Sequence, residues 1–365
     1  MLGLLRFFMA SCVVVFHLTL QVPNIGLLSV NFFYVISGYL ITMVLNDTYE
    51  FRLKEFATNR FLRLYPSYFF ILLIGLLSST LTGFSSFHPS WGGPVQTIDI
   101  AGNILMFPWA FLADSSNHVN FTGLEIFNSS TPHYRIIPST WSVGIEICCY
   151  FILWLYAGRS IKTAMTTIIL ASFWHFFVTY KDLDPMLKYY PIPAALLPFG
   201  LGALAYHLSK IYSKIIKPRN SSRTQSMILS TCIALFLMNW LATTYLSESL
   251  LNSSLYYLNT AIAFITVLAI NKSRLSGAIG KADKLFGDLA YPLFLCHFVF
   301  AFIATKLFDV APRGWENFAY SYALSIISSY IAIKMIDKPI NKIRDNIRKR
   351  GARLNPTNSA SESNC

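Results

Sequence analysis

The sequence predicts an all-α protein, a polytopic integral membrane helical bundle of about ten transmembrane helices with N-terminus and C-terminus both cytoplasmic. Three observations predict it: an apolar composition, recurrent stretches of spanning length, and an uneven distribution of cations between alternate loops. Of 365 residues, 54% are hydrophobic and only 13% charged, and mean hydropathy is +0.49, too apolar for an ordinary water-soluble chain of this size. A spanning helix needs about 20 mostly apolar residues, because backbone groups must bond one another where no water is present.

Stretches of that kind fall near 5–23, 26–45, 64–83, 137–157, 163–179, 193–209, 226–245, 255–270, 288–308 and 318–336. The fifth, sixth and eighth are short, so one of them is open to tilting, breakage or re-entry. The apolar run 100–112 inside the longest loop is open to an interfacial position. Orientation comes from the cations. With the N-terminus inside, 24 of the 29 Lys and Arg residues fall on the inner side, and only Arg135, Lys181, Lys188, Lys306 and Arg313 fall outside. Retained loops carry their Lys and Arg on the cytoplasmic face, which matches this split.

The net charge of +12 is spread over those loops. It does not form one face interleaved with stacking aromatics, so membrane topology explains it and nucleic acid is not an expected partner. The basic stretch 338–353 is expected against anionic lipid head groups, with membrane lipids as partners, and 355–365 reads as disordered. Cys12, Cys148, Cys149, Cys232 and Cys296 sit in apolar spans and Cys365 at the terminus, with no disulfide framework and no metal spacing. Only Arg6 precedes the first apolar run and no cleavage signature follows, so this segment reads as an uncleaved first helix. There is no internal repeat, P-loop, nucleophile elbow or dinucleotide fingerprint.

Ionisable groups at membrane depth are costly and face a bundle interior or a wet cavity, which makes each a functional candidate. Arg6 and His17 are eleven residues apart on the first helix. That is close to three turns, so both lie on one face about 16 Å apart along the axis. Histidine is suited to proton exchange near neutral pH. Glu146 lies several residues into a span, where a carboxylate must be protonated, paired or hydrated. Arg60 and Arg63 occupy neighbouring positions of a helical turn at the entrance to the third span, a spacing able to clamp phosphates. His297 lies near the middle of the ninth span, after Pro292, whose ring bars a regular helical bond. A plain structural reading stays open for each: an inner anchor, a satisfied core histidine, a buried partner, positive-inside bias. His175 and His207, near span ends, carry no expectation.

Several of these residues fall into an ordered set of elements. Arg6-x10-His17 comes first, then Phe32-Phe33-Tyr34-Val35-Ile36-Ser37-Gly38-Tyr39-Leu40, then Arg60-x-x-Arg63-Leu64-Tyr65-Pro66. Later come Trp141-Ser142-x3-Glu146-x3-Tyr150, Tyr291-Pro292-x3-Cys296-His297 and Asp337-Lys338-Pro339. In order and spacing they resemble the membrane-bound acyltransferase family often called acyltransferase 3, whose members O-acylate sugars of surface polysaccharides and related glycans. The resemblance covers nearly the whole chain. Ala290 and Phe294 stand where the family commonly has Ser and Tyr, each removing a hydroxyl. The chain also ends after the tenth span, so the extracellular hydrolase-like domain fused to some relatives is expected to be absent. Acceptor handling then falls to the bundle, its outer loops or a separate partner.

The resemblance implies an O-acyltransferase, most often an O-acetyltransferase, of the bacterial inner membrane. It would move an acyl group from cytoplasmic acyl-CoA, usually acetyl-CoA, to a sugar hydroxyl of a surface glycan or lipid-linked saccharide, without a metal. Residues 1–339 are expected to form the transmembrane acyltransferase domain and 340–365 a basic, then disordered, cytoplasmic tail. Arg6, Arg60 and Arg63 are expected to hold the donor phosphates, with the pantetheine arm running up toward His17. His17 is expected to act as general base on the acceptor hydroxyl or as a transient acyl acceptor. Glu146 is expected to orient that imidazole or to bind the sugar. Trp141, Tyr150 and His297 are expected on the substrate. The outer loop 84–136, with Trp91, Trp109, Phe111, Asp99, Asp114 and Glu125, is a further candidate for sugar recognition. The competing class is a secondary transporter or flippase for a glycan or lipid-linked intermediate, without covalent chemistry. Buried His and Glu suit it, but the missing inverted repeat does not.

Overall fold

A computed structural model of the chain describes residues 1–82, 87–112, 133–215, 222–246, 249–270 and 277–353. All ten apolar stretches are helical: α1 (Leu2–Leu18), α2 (Ile25–Val44), α3 (Leu53–Thr82), α5 (Thr140–Ile152), α6 (Ile161–Tyr180), α7 (Ile192–Ile215), α8 (Ser222–Leu246), α9 (Ser254–Ile270), α10 (Gly277–Phe308) and α11 (Trp315–Ala332). Among the described residues two further helices lie outside those stretches, α4 (Thr97–Leu105) and α12 (Lys338–Arg353). Wider π-type turns extend α2, α5 and α11 through Tyr49, Ala157 and Asp337. Eight of the helical segments are long and apolar enough to cross a membrane, and α1 and α9 are shorter apolar helices of 17 residues.

The outer faces suit lipid and not water. Ile169, Leu170, Phe173 and Phe176 on α6, and Met227 and Met238 on α8, are each more than 60% exposed. In a water-soluble bundle such a row would be turned inward. Polar groups instead gather at the centre: Asn31 of α2 accepts from Asn259 (3.0 Å) and Thr260 (2.9 Å) of α9 and donates to Tyr256 (3.1 Å), all buried.

Several boundaries differ from the hydropathy reading, each for a local reason. The first helix ends at Leu18, because Thr19 turns to extended backbone (φ −119°, ψ 162°) and Pro23 follows. α3 begins at Leu53, eleven residues before its apolar run, so Arg60 and Arg63 lie within a continuous helix. None of the three short spans is broken: α6, α7 and α9 run 20, 24 and 17 residues, with Pro198 accommodated inside α7.

Close helix contacts set the position of the site. Gly3 of α1 and Gly287 of α10 meet backbone to backbone, and a Cβ on Gly287 would lie 2.9 Å from the Gly3 Cα. Only glycine at both positions permits that approach, which brings the first turn of α1, with Arg6, beside α10. Gly38 of α2 and Gly202 of α7 do the same, a Cβ on Gly202 reaching 2.6 Å from the Tyr39 nitrogen.

The run 100–112 folds as α4 and a 3-10 turn, Phe107–Ala110. Its polarity is inverted. Asp99 and Asn103 face inward while Ile100, Ile104, Phe107 and Phe111 are 42–55% exposed, an arrangement suited to an apolar surround. Asp99 accepts from His133 (2.8 Å) and from the Gln96 backbone (2.9 Å), and Asn103 bonds Tyr134 and Ile136. These bonds stitch α4 and its flanks to residues 133–137.

Candidate functional site

On α1, Arg6 and His17 line two different cavities that adjoin. The first, about 40 Å³, is bounded by Arg6 of α1, Tyr34 and Ser37 of α2, Glu146 of α5 and Tyr291 of α10. The second, about 230 Å³, is bounded by His17, His88, Arg135, Ser139, Trp141, Tyr189 and Tyr190. Val30 of α2 and Phe294 of α10 line both. The face of α1 carrying the two residues is therefore turned toward α2 and α10, and Val30 and Phe294 are the residues the two cavities share.

Glu146 belongs with Arg6. It accepts hydrogen bonds from Ser37 Oγ at 2.6 Å and from the Tyr150 hydroxyl one helical turn further on. Neither partner is His17, so the carboxylate has no hand in fixing that imidazole. This explains the Ser of the second element and the Tyr of the fourth: both hydroxyls satisfy a carboxylate otherwise costly at this depth. Arg6 has its Nε buried with no partner among the described residues. Nearby on α3, Arg63 pairs with Asp288 of α10 at 3.3 Å, and Arg60 donates to Asn59 Oδ1 at 2.9 Å. The Tyr291 hydroxyl donates to the Leu64 carbonyl at 3.1 Å, tying α10 to α3 beside these cations. We call this the arginine-rich end.

His17 sits at the other end of α1, half-buried. Its ring stacks on His297 with centroids 5.3 Å apart and 20° between planes, and Phe298 lies 4.7 Å away. His297 is fully buried. Its Nδ1 lies 2.7 Å from the Phe294 carbonyl, which can only accept, so Nδ1 carries the hydrogen in that bond. The neutral ring then presents the lone pair of Nε2, which has no partner among the described residues. The same Phe294 carbonyl accepts from Ser139 Oγ at 3.2 Å. Phe294, shared by both cavities, is thus held by two bonds to its backbone, one from the histidine that backs His17.

Trp141 forms an aromatic wall of the second cavity, edge-on to Tyr189 (5.4 Å) and Tyr190 (4.8 Å). Such rings offer broad apolar faces with polar rims. His88 and Arg135 line the cavity from the segments on either side of α4. The His88 imidazole is pushed down to about 3, chiefly by burial and further by Arg135, Arg313 and His297, and its Nδ1 accepts from the Ser90 backbone at 3.1 Å. Since the folded protein favours neutral His88, unfolding takes up a proton below the ordinary value of about 6.5, and stability falls with pH from there down toward 3. Above that window His88 contributes no pH dependence. Acidification from pH 7 to pH 5 is expected to lower the thermal midpoint of the wild type more than that of His88→Asn, which keeps a capping oxygen; equal shifts would remove His88 as the cause.

Three of the groups in the loop 84–136 expected for sugar recognition are turned to other uses among the described residues. Asp99 is fully buried against His133, Trp109 is fully buried with Arg135 4.8 Å over its ring, and Trp91 donates to the Arg135 carbonyl at 2.7 Å. All three are committed to packing. Phe111 is exposed, and Asp114 and Glu125 lie outside the described residues. Instead, His88, Arg135, Tyr189 and Tyr190 reach the cavity beside His17. Only Arg135 carried a signal in the sequence, as one of the few cations expected on the outer side. Among the described residues, no group of three His, Cys, Asp or Glu side chains is arranged to hold a metal ion.

Comparison with known proteins agrees with the pattern of elements. A family model described as an acyltransferase domain matches residues 2–334. The peptidoglycan O-acetyltransferase OatA of Listeria monocytogenes is 23% identical, over 93% of this chain and 55% of its own length. The putative peptidoglycan O-acetyltransferase YrhL of Bacillus subtilis is 20% identical, over 92% and 54%. An O-acetyltransferase OatA of Staphylococcus aureus is 22% identical, over 93% and 56%. The chain spans about half the length of these relatives. No solved structure matches it.

Proposed function

The chain belongs to the acyltransferase family whose model covers residues 2–334, and from that membership we propose that it is a multi-pass O-acetyltransferase carrying an acetyl group through the bundle to a glycan hydroxyl. The donor is acetyl-CoA, entering at the arginine-rich end from the cytoplasm. The acceptor is a sugar of a surface or exported glycan, reached at the His17 end on the outer face of a bacterial inner membrane. Its relatives' names make peptidoglycan the first acceptor to try. The orientation rests on the cation split, with the termini inside.

The observation that carries this reading is the pair of cavities on one face of α1, adjoining across Val30 and Phe294. Arg6, Arg60 and Arg63 bind the phosphates of the coenzyme by charge-assisted hydrogen bonds. The pantetheine arm passes between Val30 and Phe294, and the rise of about 16 Å from Arg6 to His17 is of the right order for it. In direct transfer, His17 takes the proton of the sugar hydroxyl as that oxygen attacks the thioester carbonyl. The C–O bond forms, the C–S bond breaks, and the proton passes to the departing thiolate. In two-step transfer, the imidazole nitrogen bonds the acetyl carbon as the C–S bond breaks, and the departing thiolate takes the ring proton; the sugar oxygen then forms its C–O bond as the C–N bond breaks, and the hydroxyl proton returns to the imidazole. His297 backs the His17 ring in either case. Trp141, with Tyr189 and Tyr190, receives the sugar, and Glu146, held by Ser37 and Tyr150, faces Arg6 on the donor path.

Purified protein in proteoliposomes with labelled acetyl-CoA and a soluble glycan acceptor tests the reading: label on the glycan is expected, and label remaining wholly on coenzyme A would favour a transporter. The passage has its own test. Phe294→Trp overfills the position the two cavities share and is expected to slow transfer by about tenfold or more with coenzyme A affinity unchanged. A normal rate would show that the acyl group takes another route.

A further inference from the structure

We propose that Arg344 of α12 joins Arg60 of α3 to form a phosphate-binding site at the arginine-rich end, so that a helix beyond the matched residues 2–334 completes the donor clamp. The proposal rests on the donor reading above for its preferred ligand, coenzyme A.

Asn59 is fully buried, and its side-chain oxygen accepts from Arg60 Nη2 at 2.9 Å and from Arg344 Nη2 at 3.4 Å. Two cations therefore converge on one neutral oxygen. Among the described residues neither guanidinium lies within ion-pair distance of a carboxylate. The acids nearby are committed elsewhere, Asp288 to Arg63 at 3.3 Å and Asp337 to Ser67 at 2.7 Å. The Nε atoms of Arg60 and Arg344 are buried with no partner among the described residues.

Arg344 also differs from the other cations of its helix whose side chains are described. Lys338, Lys342 and Arg348 are exposed, whereas Arg344 is 9% exposed and turned onto α3. A cation drawn only to water or to the lipid surface would point outward with them. Bringing two guanidinium groups together out of water costs free energy unless an anion with several acceptor oxygens lies between them. A phosphate supplies those oxygens and matches the planar fork of arginine. Arg63, paired with Asp288, and Arg6, with its unpartnered Nε, flank the same end.

Coenzyme A phosphates and a phospholipid headgroup offer the same chemistry, and the choice of membrane separates them. The full chain is placed in nanodiscs of phosphatidylcholine, and binding of coenzyme A is titrated for the wild type, Arg344→Gln, Arg344→Lys, Arg60→Gln and Arg348→Gln. In discs doped with phosphatidylglycerol, retention of that lipid is followed by native mass spectrometry. Arg344→Gln and Arg60→Gln are each expected to weaken coenzyme A by about tenfold or more, Arg344→Lys by less, and the exposed Arg348→Gln not at all. Lipid retention is expected to stay the same. Loss of phosphatidylglycerol in Arg344→Gln with coenzyme A affinity intact also supports the phosphate site and assigns it to lipid. Unchanged binding of both ligands in Arg344→Gln overturns the site, as does an equal loss in Arg348→Gln. If Arg60→Gln alone weakens coenzyme A, the donor reading stands without α12. A wild type that binds no coenzyme A sinks the donor reading itself, and the lipid measurement then decides Arg344.

Discussion

Replacing His17 by alanine is expected to lower acetyl transfer by about 10²–10⁴-fold, the range associated with loss of a general base. The protein should still enter the membrane and bind coenzyme A. His17 is half-buried at the edge of a 230 Å³ cavity, and its contacts are ring contacts with Phe16, His297 and Phe298. Removing it opens space already partly open, so the fold loses little. Single-turnover transfer from labelled acetyl-CoA is the readout, with coenzyme A binding measured beside it. If His17 accepts the group, label is trapped on the wild-type protein when no glycan is supplied. A His17→Ala protein with the wild-type rate would take the imidazole out of the chemistry.

Neutralising Arg60 and Arg63 together is expected to weaken donor affinity by about 10²–10⁴-fold, since each hydrogen bond to a charged group contributes about 1.5–3 kcal/mol. The rate at saturating donor should change much less, because these residues lie at the opposite end of α1 from His17. Arg63 also pairs with Asp288, so a structural effect must be separated from a binding one. Asp288→Asn removes that partner while leaving the guanidinium free for phosphate, and it is expected to preserve or raise affinity. Should Asp288→Asn instead weaken the donor as much as the arginine changes do, the ion pair would be structural and Arg63 would leave the clamp.

Much of the bundle was legible because lipid imposes a single strong rule: a backbone in hydrocarbon must satisfy itself, so each span announces itself as a long apolar run. All ten stretches are helices. What hydropathy could not see was helix continuing past the apolar run. α3 begins among Lys54, Glu55 and Arg60, and α10 among Lys281, Asp283 and Lys284. α12 was hidden for the same reason: its cations read as a headgroup-bound tail, and nothing in the sequence marks Arg344 as turned inward.

The site was half legible. Arg6, His17, Glu146 and His297 stood out because ionisable groups at that depth are costly. Their partners did not. Val30 and Phe294 are apolar residues in apolar helices, indistinguishable from packing until α1, α2 and α10 are brought together. Glu146 was visible as a buried carboxylate, but its assignment to the Arg6 cavity depends on Ser37, 109 residues away in the chain. The loop 84–136 was ambiguous in the other direction. Its Trp and Asp residues have the composition of a sugar site, yet Asp99 and Trp109 are consumed in holding α4 to residues 133–137, and composition alone does not distinguish the two uses.

The structure of the protein with bound coenzyme A, determined by electron cryomicroscopy, is the most direct measurement of whether the two ends of α1 share one passage. The expected density runs from phosphates among Arg6, Arg60 and Arg63, between Val30 and a displaced Phe294 ring, to a sulfur within about 3.5 Å of the His17 imidazole, the separation a reacting pair requires. A coenzyme whose arm leaves the bundle sideways into lipid, with Phe294 still closed over the Arg6 cavity, would contradict it.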